Sequence, residues 1–355
     1  MGFNYFKMDI KSLVRKNIKN LKPYASAREE FSGRADIFLD ANENPYGLDL
    51  NRYPDPMQRK LKEKISKIKA VPAKNIFLGN GSDEVIDLLI RIFCEPRKDE
   101  IILLPPTYGM YKVCADIANV GKKEVLLTPD FQPEVEAVLG VAGRNSKILF
   151  LCSPNNPTGN NFEFGKMVQL IENFPGMVVV DEAYIDFSTQ KSAITLLLEY
   201  PNLVVMQTFS KAWGLAGLRL GMAFSSKEVV GFLNSVKPPY NINFLTQKTA
   251  EKILNEKQRV QENIQKILFQ RRRLEGELRE LKFVKKIHPS DANFLLVKVE
   301  RADDLHQFLV ERKIIVRNRS RVPLCEDCLR ITVGTEEENE RLLQELQLYQ
   351  EKFIQ

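Results

Sequence analysis

The chain has 355 residues, of which 44% are hydrophobic and 28% are charged, proportions that exclude a disordered or fibrous protein and fit a globular one of two domains. The formal net charge of +6 is modest for this length. Because the basic residues are spread along the chain, anionic small molecules are favoured over nucleic acid as partners.

Targeting and metal-binding patterns are weak. No apolar run reaches the roughly 18 to 20 residues of a membrane span, and the opening residues MGFNYFKMDI lack the apolar core of a signal peptide. We therefore expect a cytoplasmic protein without a membrane partner. The five cysteines are odd in number and scattered, which indicates reduced thiols. A lone C-x-x-C at 325–328 and two histidines without ligand spacing predict no metal site.

Apolar runs of strand length alternate with amphipathic segments through the first part of the chain. In order they read NIFLG, EIILLPP, KKEVLL, KILFLCSP, MVVVDEAY and NLVVMQTFS. Several lack alternating polarity, as strands buried on both faces do, and helix-like stretches such as SDEVIDLLIRIF separate them. The pattern predicts an α/β fold whose large domain has a mostly parallel central sheet flanked by helices.

The character of the chain changes near residue 240. A long charged segment with helical periodicity and few breakers indicates a connecting helix or helix pair. Beyond it, ANFLLVKV, DDLHQFLVERK, IIVRNR and LRITVG alternate as short strands and helices, which predicts a smaller α+β C-terminal domain. We expect an N-terminal arm at 1–30, the large domain at 31–240, the connecting helix at 241–282 and the small domain at 283–355.

Polar groups follow the ends of the predicted strands. Ser82 and Asp83 begin a helix, where free backbone N–H groups bind phosphate well, although an ordinary N-cap serine would look the same. The loop SPNNPTG carries Asn155 and Asn156 after another strand. Since ligands of parallel sheets gather at the carboxyl ends of the strands, we expect these groups to converge.

Two later strand ends carry the most reactive groups. Asp181 ends an apolar strand, where an unpaired carboxylate is costly, and Tyr184 follows three residues on. Ser210 and Lys211 end the last long strand, and Arg219 follows in the glycine-spaced segment FSKAWGLAGLRLG. Lys211 stands between a hydroxyl and small or apolar neighbours, which distinguishes it from a lysine on a charged surface helix.

An anionic, aromatic cofactor with a carbonyl group would use all of these residues, and pyridoxal 5'-phosphate fits that description. In this hypothesis Lys211 forms an imine with the cofactor, and Asp181 keeps its ring nitrogen protonated. Asn156 and Tyr184 hydrogen-bond the ring hydroxyl. The cofactor phosphate would be bound by Ser82, Ser210 and Arg219. Released by the substrate amine, Lys211 would act as base and acid, with its basicity lowered by the imine and by Arg219.

The motifs SPNNPTG, DEAY and SKAWGLAGLRLG resemble those of the fold-type I pyridoxal-phosphate aminotransferases. More narrowly, LKPY at 21, LDANENPYG at 39, RYPDP at 52, PPTYGMY at 105 and LRITVG at 329 resemble the histidinol-phosphate aminotransferase family. The resemblance runs from about residue 18 to the C-terminal helix. It implies transamination of L-histidinol phosphate with 2-oxoglutarate in histidine biosynthesis.

Further site residues are implied by the resemblance alone. Tyr108 would stack on the cofactor ring. Tyr53 would reach the phosphate of the neighbouring subunit's cofactor, which makes a homodimer part of the active site. The substrate residues implied are Arg330 for a carboxylate, Arg317 for the substrate phosphate, and Tyr24 and Asn44 in the pocket wall. Asn318 stands where the family often has an acidic residue, in the unusually basic loop RNRSR at 317–321.

Other functions fit parts of the same pattern. Within the fold, the alternatives are an aromatic amino-acid aminotransferase and a phosphothreonine decarboxylase of cobalamin synthesis. Arg317 and the basic loop favour a phosphorylated substrate, although such a loop can also be simply solvated. A non-catalytic relative that keeps the cofactor pocket would usually carry an added DNA-binding domain, and only a short arm precedes the enzyme-like motifs here.

Overall fold

The computed structural model describes residues 8–23, 36–47 and 49–354. Seven strands form a large sheet in the order β1-β7-β6-β5-β4-β2-β3. The strands are β1 Ile76–Asn80, β2 Glu100–Leu103, β3 Gly121–Glu124, β4 Ser146–Cys152, β5 Met177–Asp181, β6 Leu203–Thr208 and β7 Leu220–Ser225. The contacts from β3 through β2, β4 and β5 to β6 are all parallel, so the prediction of a mostly parallel sheet is confirmed.

Strand β7 is the exception and was not expected as a strand. It runs antiparallel to both β1 and β6 and is inserted between them. Its second residue is Gly221, where a Cβ atom would overlap the backbone of Gly81 and Ser82. Glycine therefore lets β7 lie directly against the chain that leads from β1 into the following helix.

Helices cover both faces of the large sheet. They are α1 Ile10–Leu13, α2 Lys16–Lys19, α3 Arg59–Lys69, α4 Ser82–Phe93, α5 Met110–Ile117, α6 Val135–Val141, α7 Phe164–Asn173 and α8 Lys227–Val236. Successive residues of β5 enter opposite cores: Val178 and Val180 pack in one, Met177 and Val179 in the other. This two-sided burial explains why the strands read as continuous apolar runs.

Helix α9 Phe244–Ile253 packs on α3 and contributes Ala250 to a core of the large sheet. The elements that follow it build a second sheet with its own core. They are α10 Lys257–Arg279, β8 Val284–Ile287, β9 Phe294–Val299, α11 Ala302–Glu311, β10 Arg317–Asn318, β11 Cys328–Thr332 and α12 Glu336–Phe353. The four strands are antiparallel in the order β10-β11-β9-β8. The expected strand IIVRNR shortens to Arg317–Asn318, and the lysine-rich β8 was not expected. The domain limits expected from the sequence stay a prediction.

The smaller sheet packs against the large one where the site lies. Phe294 of β9 and Cys328 of β11 share a core with Tyr184 and Phe209, which follow β5 and β6. The loop after β10 is thereby held opposite the carboxyl ends of the parallel strands. Across the described ranges, no helix combines the length and the apolar composition needed to cross a bilayer.

Candidate active site

A cavity of about 700 Å³ opens between the carboxyl ends of β4, β5 and β6 and the loop after β10. It gathers most of the residues singled out in the sequence. Those that line it are Ser82, Asp83, Tyr108, Asn156, Asp181, Tyr184, Ser210, Lys211, Arg219, Arg317 and Arg330. Residues as far as 248 positions apart in the chain, Ser82 and Arg330, therefore line one cavity. This cavity is large enough for a cofactor and a small substrate.

Two expected site residues that the structure describes, Asn44 and Tyr53, do not line this cavity. Tyr24 lies outside the described residues. Asn44 is exposed, and its Oδ1 atom accepts a hydrogen bond from the backbone N–H of Tyr46. Tyr53 is half-exposed, stacks on Tyr240 with ring centroids 4.4 Å apart, and lines a separate surface cavity. Within one chain, Asn44 and Tyr53 are therefore not brought to the cofactor site.

Asp181 supplies a buried carboxylate at the end of β5. Its Oδ2 atom accepts a hydrogen bond of 2.6 Å from the Tyr111 hydroxyl, and its Oδ1 atom accepts one of 3.1 Å from the backbone N–H of Ala183. Burial nevertheless raises the pKa of Asp181 to about 6, because two neutral donors do not replace the lost hydration. A cation in the cavity would favour its charged form.

Tyr111 is a site residue that the sequence analysis missed. It is fully buried, its ring stacks on Phe150 with centroids 4.5 Å apart, and burial raises the pKa of its phenol well above the usual range. It therefore remains a neutral hydrogen-bond donor that orients Asp181. The available signal was its position three residues after Tyr108 in PPTYGMY, but a tyrosine in an amphipathic helix is also typical of a core.

The first turn of α4 and Arg219 form a seat for an anion. Gly81 precedes the helix with φ +78°, and a Cβ atom there would lie 2.7 Å from Nη2 of Arg219. The guanidinium thus lies close to the free N–H groups of the helix start, an arrangement that binds phosphate well. Asp83 holds the neighbouring groups: it accepts a 3.1 Å hydrogen bond from Tyr108 and lies 3.6 Å from Arg219.

Lys211 stands at the mouth of this cavity with its Nζ atom 5.6 Å from the centroid of the Tyr184 ring. Burial lowers the pKa of Lys211, and the charge of Arg330 lowers it further. Arg219, which we expected to have this effect, is the last of the contributing neighbours. A lowered pKa increases the fraction of neutral amine that can attack a carbonyl carbon.

The two asparagines of SPNNPTG face different ways. Asn155 is buried, and its Nδ2 atom donates to the carbonyl of Pro106 and to the hydroxyl of Thr158, both at 2.8 Å. Asn156 lines the cavity, where its Oδ1 atom accepts a hydrogen bond from Arg330. The first residue therefore shapes the loop, and the second presents its amide to the site.

Three arginines from β10, the loop after it and β11 line the same cavity and are here called the basic wall: Arg317, Arg319 and Arg330. Arg317 and Arg330 stand opposite each other in the β10–β11 ladder. Arg319 is the second residue that the sequence analysis missed. It belongs to the RNRSR loop, in which only Arg317 had been given a role. Two carboxylates are among the described residues that line the cavity, Asp83 and Asp181, and both are bonded to other groups.

The chemistry of this donor set fits pyridoxal phosphate. The anion seat at α4 suits its phosphate, the buried carboxylate of Asp181 suits its ring nitrogen, and the amine of Lys211 suits its aldehyde. Trp213 is buried and packs with Phe209, with ring centroids 5.3 Å apart. Metal chemistry has no comparable support, because the described residues contain no cluster of three or more possible metal ligands.

The thiols of the C-x-x-C segment are buried. Cys325 and Cys328 are both free, and burial raises the pKa of Cys325 to about 12 and that of Cys328 to about 11. Thiols with raised pKa values are poor nucleophiles. These two residues therefore serve packing between the two sheets.

Comparison with known proteins agrees with this geometry. Residues 40–346 match the family described as aminotransferase class I and II. The chain belongs to this family. The histidinol-phosphate aminotransferase of Christiangramia forsetii is 54% identical over 94% of this chain and 96% of its own length. The predicted resemblance, and with it a pyridoxal phosphate-dependent transaminase, is confirmed.

Solved structures confirm the fold of the aminotransferase. The histidinol-phosphate aminotransferase from Clostridium acetobutylicum has a TM-score of 0.79 at 23% identity and covers 88% of this chain and 98% of its own. That from Sinorhizobium meliloti, solved in complex with pyridoxal-5'-phosphate, has a TM-score of 0.77 at 22% identity, with 87% and 90% covered. The expected fold-type I architecture is thus confirmed.

Proposed function

We propose that the protein transfers the amino group of L-histidinol phosphate to 2-oxoglutarate in histidine biosynthesis, forming imidazole acetol phosphate and L-glutamate. The observation that carries this proposal is that one cavity is lined by the amine of Lys211, the buried carboxylate of Asp181 and the basic wall. The substrate named for the Christiangramia forsetii relative supports it. The same considerations make a cytoplasmic enzyme our expectation.

Residues that line the cavity would each bind one part of the cofactor. Lys211 would hold the cofactor covalently, and Asp181 would pair with its ring nitrogen. Ser82, Ser210 and Arg219 would bind its phosphate, while Tyr108 would cover the ring. Asn156 and Tyr184 would bind the ring hydroxyl. Pyridoxal phosphate supplies an electron sink for the pair left when the substrate loses its Cα proton.

The proton transfer belongs to Lys211. Its Nζ atom would act as the general base that takes the proton from the substrate Cα, and, once protonated, as the acid that returns a proton. The lowered pKa of Lys211 favours this exchange, because it increases the fraction of neutral amine that can act as a base. The buried carboxylate of Asp181 would support this step by favouring a positive charge on the ring nitrogen of the bound cofactor.

Substrate recognition would use the basic wall and residues beyond it. We propose that Arg330 binds the carboxylate of the amino- or keto-acid and that Arg317 binds the substrate phosphate. Tyr24 and Asn44 would complete the pocket. Because Asn44 does not line the cavity of its own chain, we propose that it contacts the substrate bound in the partner subunit.

A homodimer is part of this proposal. The segment around Tyr53 exposes several large apolar side chains, an arrangement typical of a protein interface. They are Ile37, Leu39, Tyr46, Leu50 and Leu245. Covering this face with a second copy would place Tyr53 at the partner's cofactor phosphate.

Tyr53→Phe tests the shared site. We expect the dissociation constant for pyridoxal phosphate to rise roughly 10-fold, because a charge-assisted hydrogen bond to the phosphate is lost while the ring remains. Cofactor release during dialysis, followed by absorbance, measures it. Tyr240→Phe is the matched control, since Tyr240 stacks on Tyr53. An active monomer that retains its cofactor would contradict the shared site.

Steady-state rates with three amino donors test the substrate. We expect kcat/KM for histidinol phosphate to exceed that for phenylalanine roughly 100-fold or more, because phenylalanine leaves part of the basic wall unpaired. Phosphothreonine should give no release of CO₂, which separates transamination from decarboxylation. Negligible turnover of histidinol phosphate would refute the proposed substrate.

A further inference from the structure

The position of Arg319 in the basic wall is determined by its backbone. Its N–H donates to the carbonyl of Cys328 at 2.8 Å, and its own carbonyl accepts from the N–H of Val322 at 2.8 Å. These bonds fix the turn just after β10. The side chain extends from this turn into the lining of the cavity. Arg319 is therefore directed to the site by local structure.

Charge around Arg319 is not balanced by a nearby acid. Its Nε atom is buried and has no hydrogen-bond partner, and the same holds for Nε of Arg330. Burial and the charges of Arg330 and Arg317 lower the pKa of Arg319 to about 10. The groups that act in the opposite direction are the Cys325 thiol and the Tyr184 phenol, whose own pKa values are raised by burial. Both are neutral near pH 7.

Three neighbouring guanidiniums in a partly buried site repel one another, and the unpaired donors lose hydration. An anion bound among them removes both costs. A carboxylate has one negative charge and two oxygens, and the fork of a single arginine satisfies it. A phosphate monoester has a charge near −2 and three free oxygens, so it can accept from several guanidiniums at once.

We propose that Arg319 is a specificity-determining residue that binds the phosphate of the substrate together with Arg317, and that it sets the preference for phosphorylated amines over carboxylates. This inference rests on the proposed function, because it assigns one more residue to the same substrate site. It adds a third arginine to the two that the family motifs imply. Arg330 is left to bind carboxylates and Asn156.

The test compares the two half-reactions of the enzyme loaded with pyridoxal phosphate. In R319Q we expect kcat/KM for histidinol phosphate to fall roughly 10- to 100-fold, mainly through KM, as for loss of a charge-assisted hydrogen bond. For L-glutamate we expect a change below about 3-fold, because a carboxylate is satisfied by one arginine fork. For R319K we expect a kcat/KM for histidinol phosphate between those of R319Q and the unaltered enzyme, since lysine keeps the charge without the planar fork.

R321Q is the matched control, because Arg321 belongs to the same loop but is exposed and outside the cavity lining. It should behave as the unaltered enzyme. Equal losses in R319Q for both donors, or an unchanged KM for histidinol phosphate, would overturn the proposal. If R319Q fails to fold, as judged by thermal melting, R319K decides, and an unchanged KM in R319K would overturn it as well.

A second measurement tests the phosphate-binding role of Arg319 without depending on the identity of the substrate. A simple alkyl phosphate cannot transaminate, so it can be tested as a competitive inhibitor of the glutamate half-reaction, followed by cofactor absorbance. Weaker inhibition of R319Q than of R321Q, with equal inhibition by an alkyl carboxylate, would support the phosphate role even if histidinol phosphate is not a substrate. Equal inhibition of both variants by the alkyl phosphate would refute it.

Discussion

Replacing Lys211 by alanine is expected to lower kcat roughly 10²- to 10⁴-fold, the usual contribution of a positioned general base, and to end covalent retention of the cofactor. The reason is geometric. Among the described residues, Lys211 is the one lysine that lines the cavity, which it shares with the anion seat at α4 and the basic wall. Single-turnover absorbance of the cofactor with L-glutamate as donor measures the loss.

Lys211→Arg is the control for charge. Arginine keeps a cation at the mouth of the cavity but does not give up its proton, so we expect it to be as inactive as the alanine variant. Borohydride reduction of the unaltered enzyme and peptide mapping should find the cofactor on Lys211. Attachment to another lysine would refute the assignment.

Asp181→Asn should separate stability from activity. In the folded protein burial raises the pKa of Asp181 from the ordinary value of 3.8 to about 6. The native state therefore binds more protons than the unfolded state between these values, and its stability falls as the pH rises through this window. At pH 7 the charged Asp181 costs the cofactor-free protein about 3 kcal/mol at most, a cost that asparagine removes.

The expected result is a cofactor-free Asp181→Asn protein that is more stable at pH 7, with the gain vanishing toward pH 4. Denaturant unfolding at several pH values measures it. The kcat of the loaded variant should nevertheless fall roughly 10²- to 10³-fold, as when one preorganised electrostatic group is removed. A variant with unaltered kcat would contradict the role of Asp181.

Tyr111→Phe is the matched control for Asp181→Asn, because it keeps the carboxylate of Asp181 and removes one hydrogen bond to it. It removes the 2.6 Å hydrogen bond to Asp181 but keeps the ring that stacks on Phe150. Because that bond favours the carboxylate, its loss should raise the pKa of Asp181 further and shift the acidic limb of the kcat profile to higher pH. An unshifted limb would mean that Tyr111 serves packing alone.

Much of the fold could be predicted because it follows from local patterns. Strands β4, β5 and β6 are buried on both faces, so their sequences are continuously apolar and stand out from the helices. Parallel strands end at one edge, and this rule alone brought Asn156, Asp181 and Lys211 together. The strands of the small sheet were harder to predict, because β8 carries two exposed lysines and β10 has only two residues.

The environment of each site residue could not be predicted in the same way. Arg330 follows Lys211 by 119 positions, yet its charge, after burial, does most to lower the pKa of that lysine. Nothing near Lys211 in the chain indicates this contact. Tyr111 and Arg319 were missed for a related reason, because their partners lie in distant segments and a tyrosine or an arginine alone is an ordinary residue.

The sequence by itself therefore determined the class of cofactor and predicted the residues that would bind it, since both depend on residue types in short motifs after strands. The tertiary structure decided how those residues are tuned. Packing of α5 on the large sheet places the Tyr111 hydroxyl on the buried carboxylate of Asp181. Packing of the small sheet on the large one gathers Arg317, Arg319 and Arg330 around the same cavity. Burial and long-range charge depend on the surfaces that meet in space, and a linear pattern does not contain them.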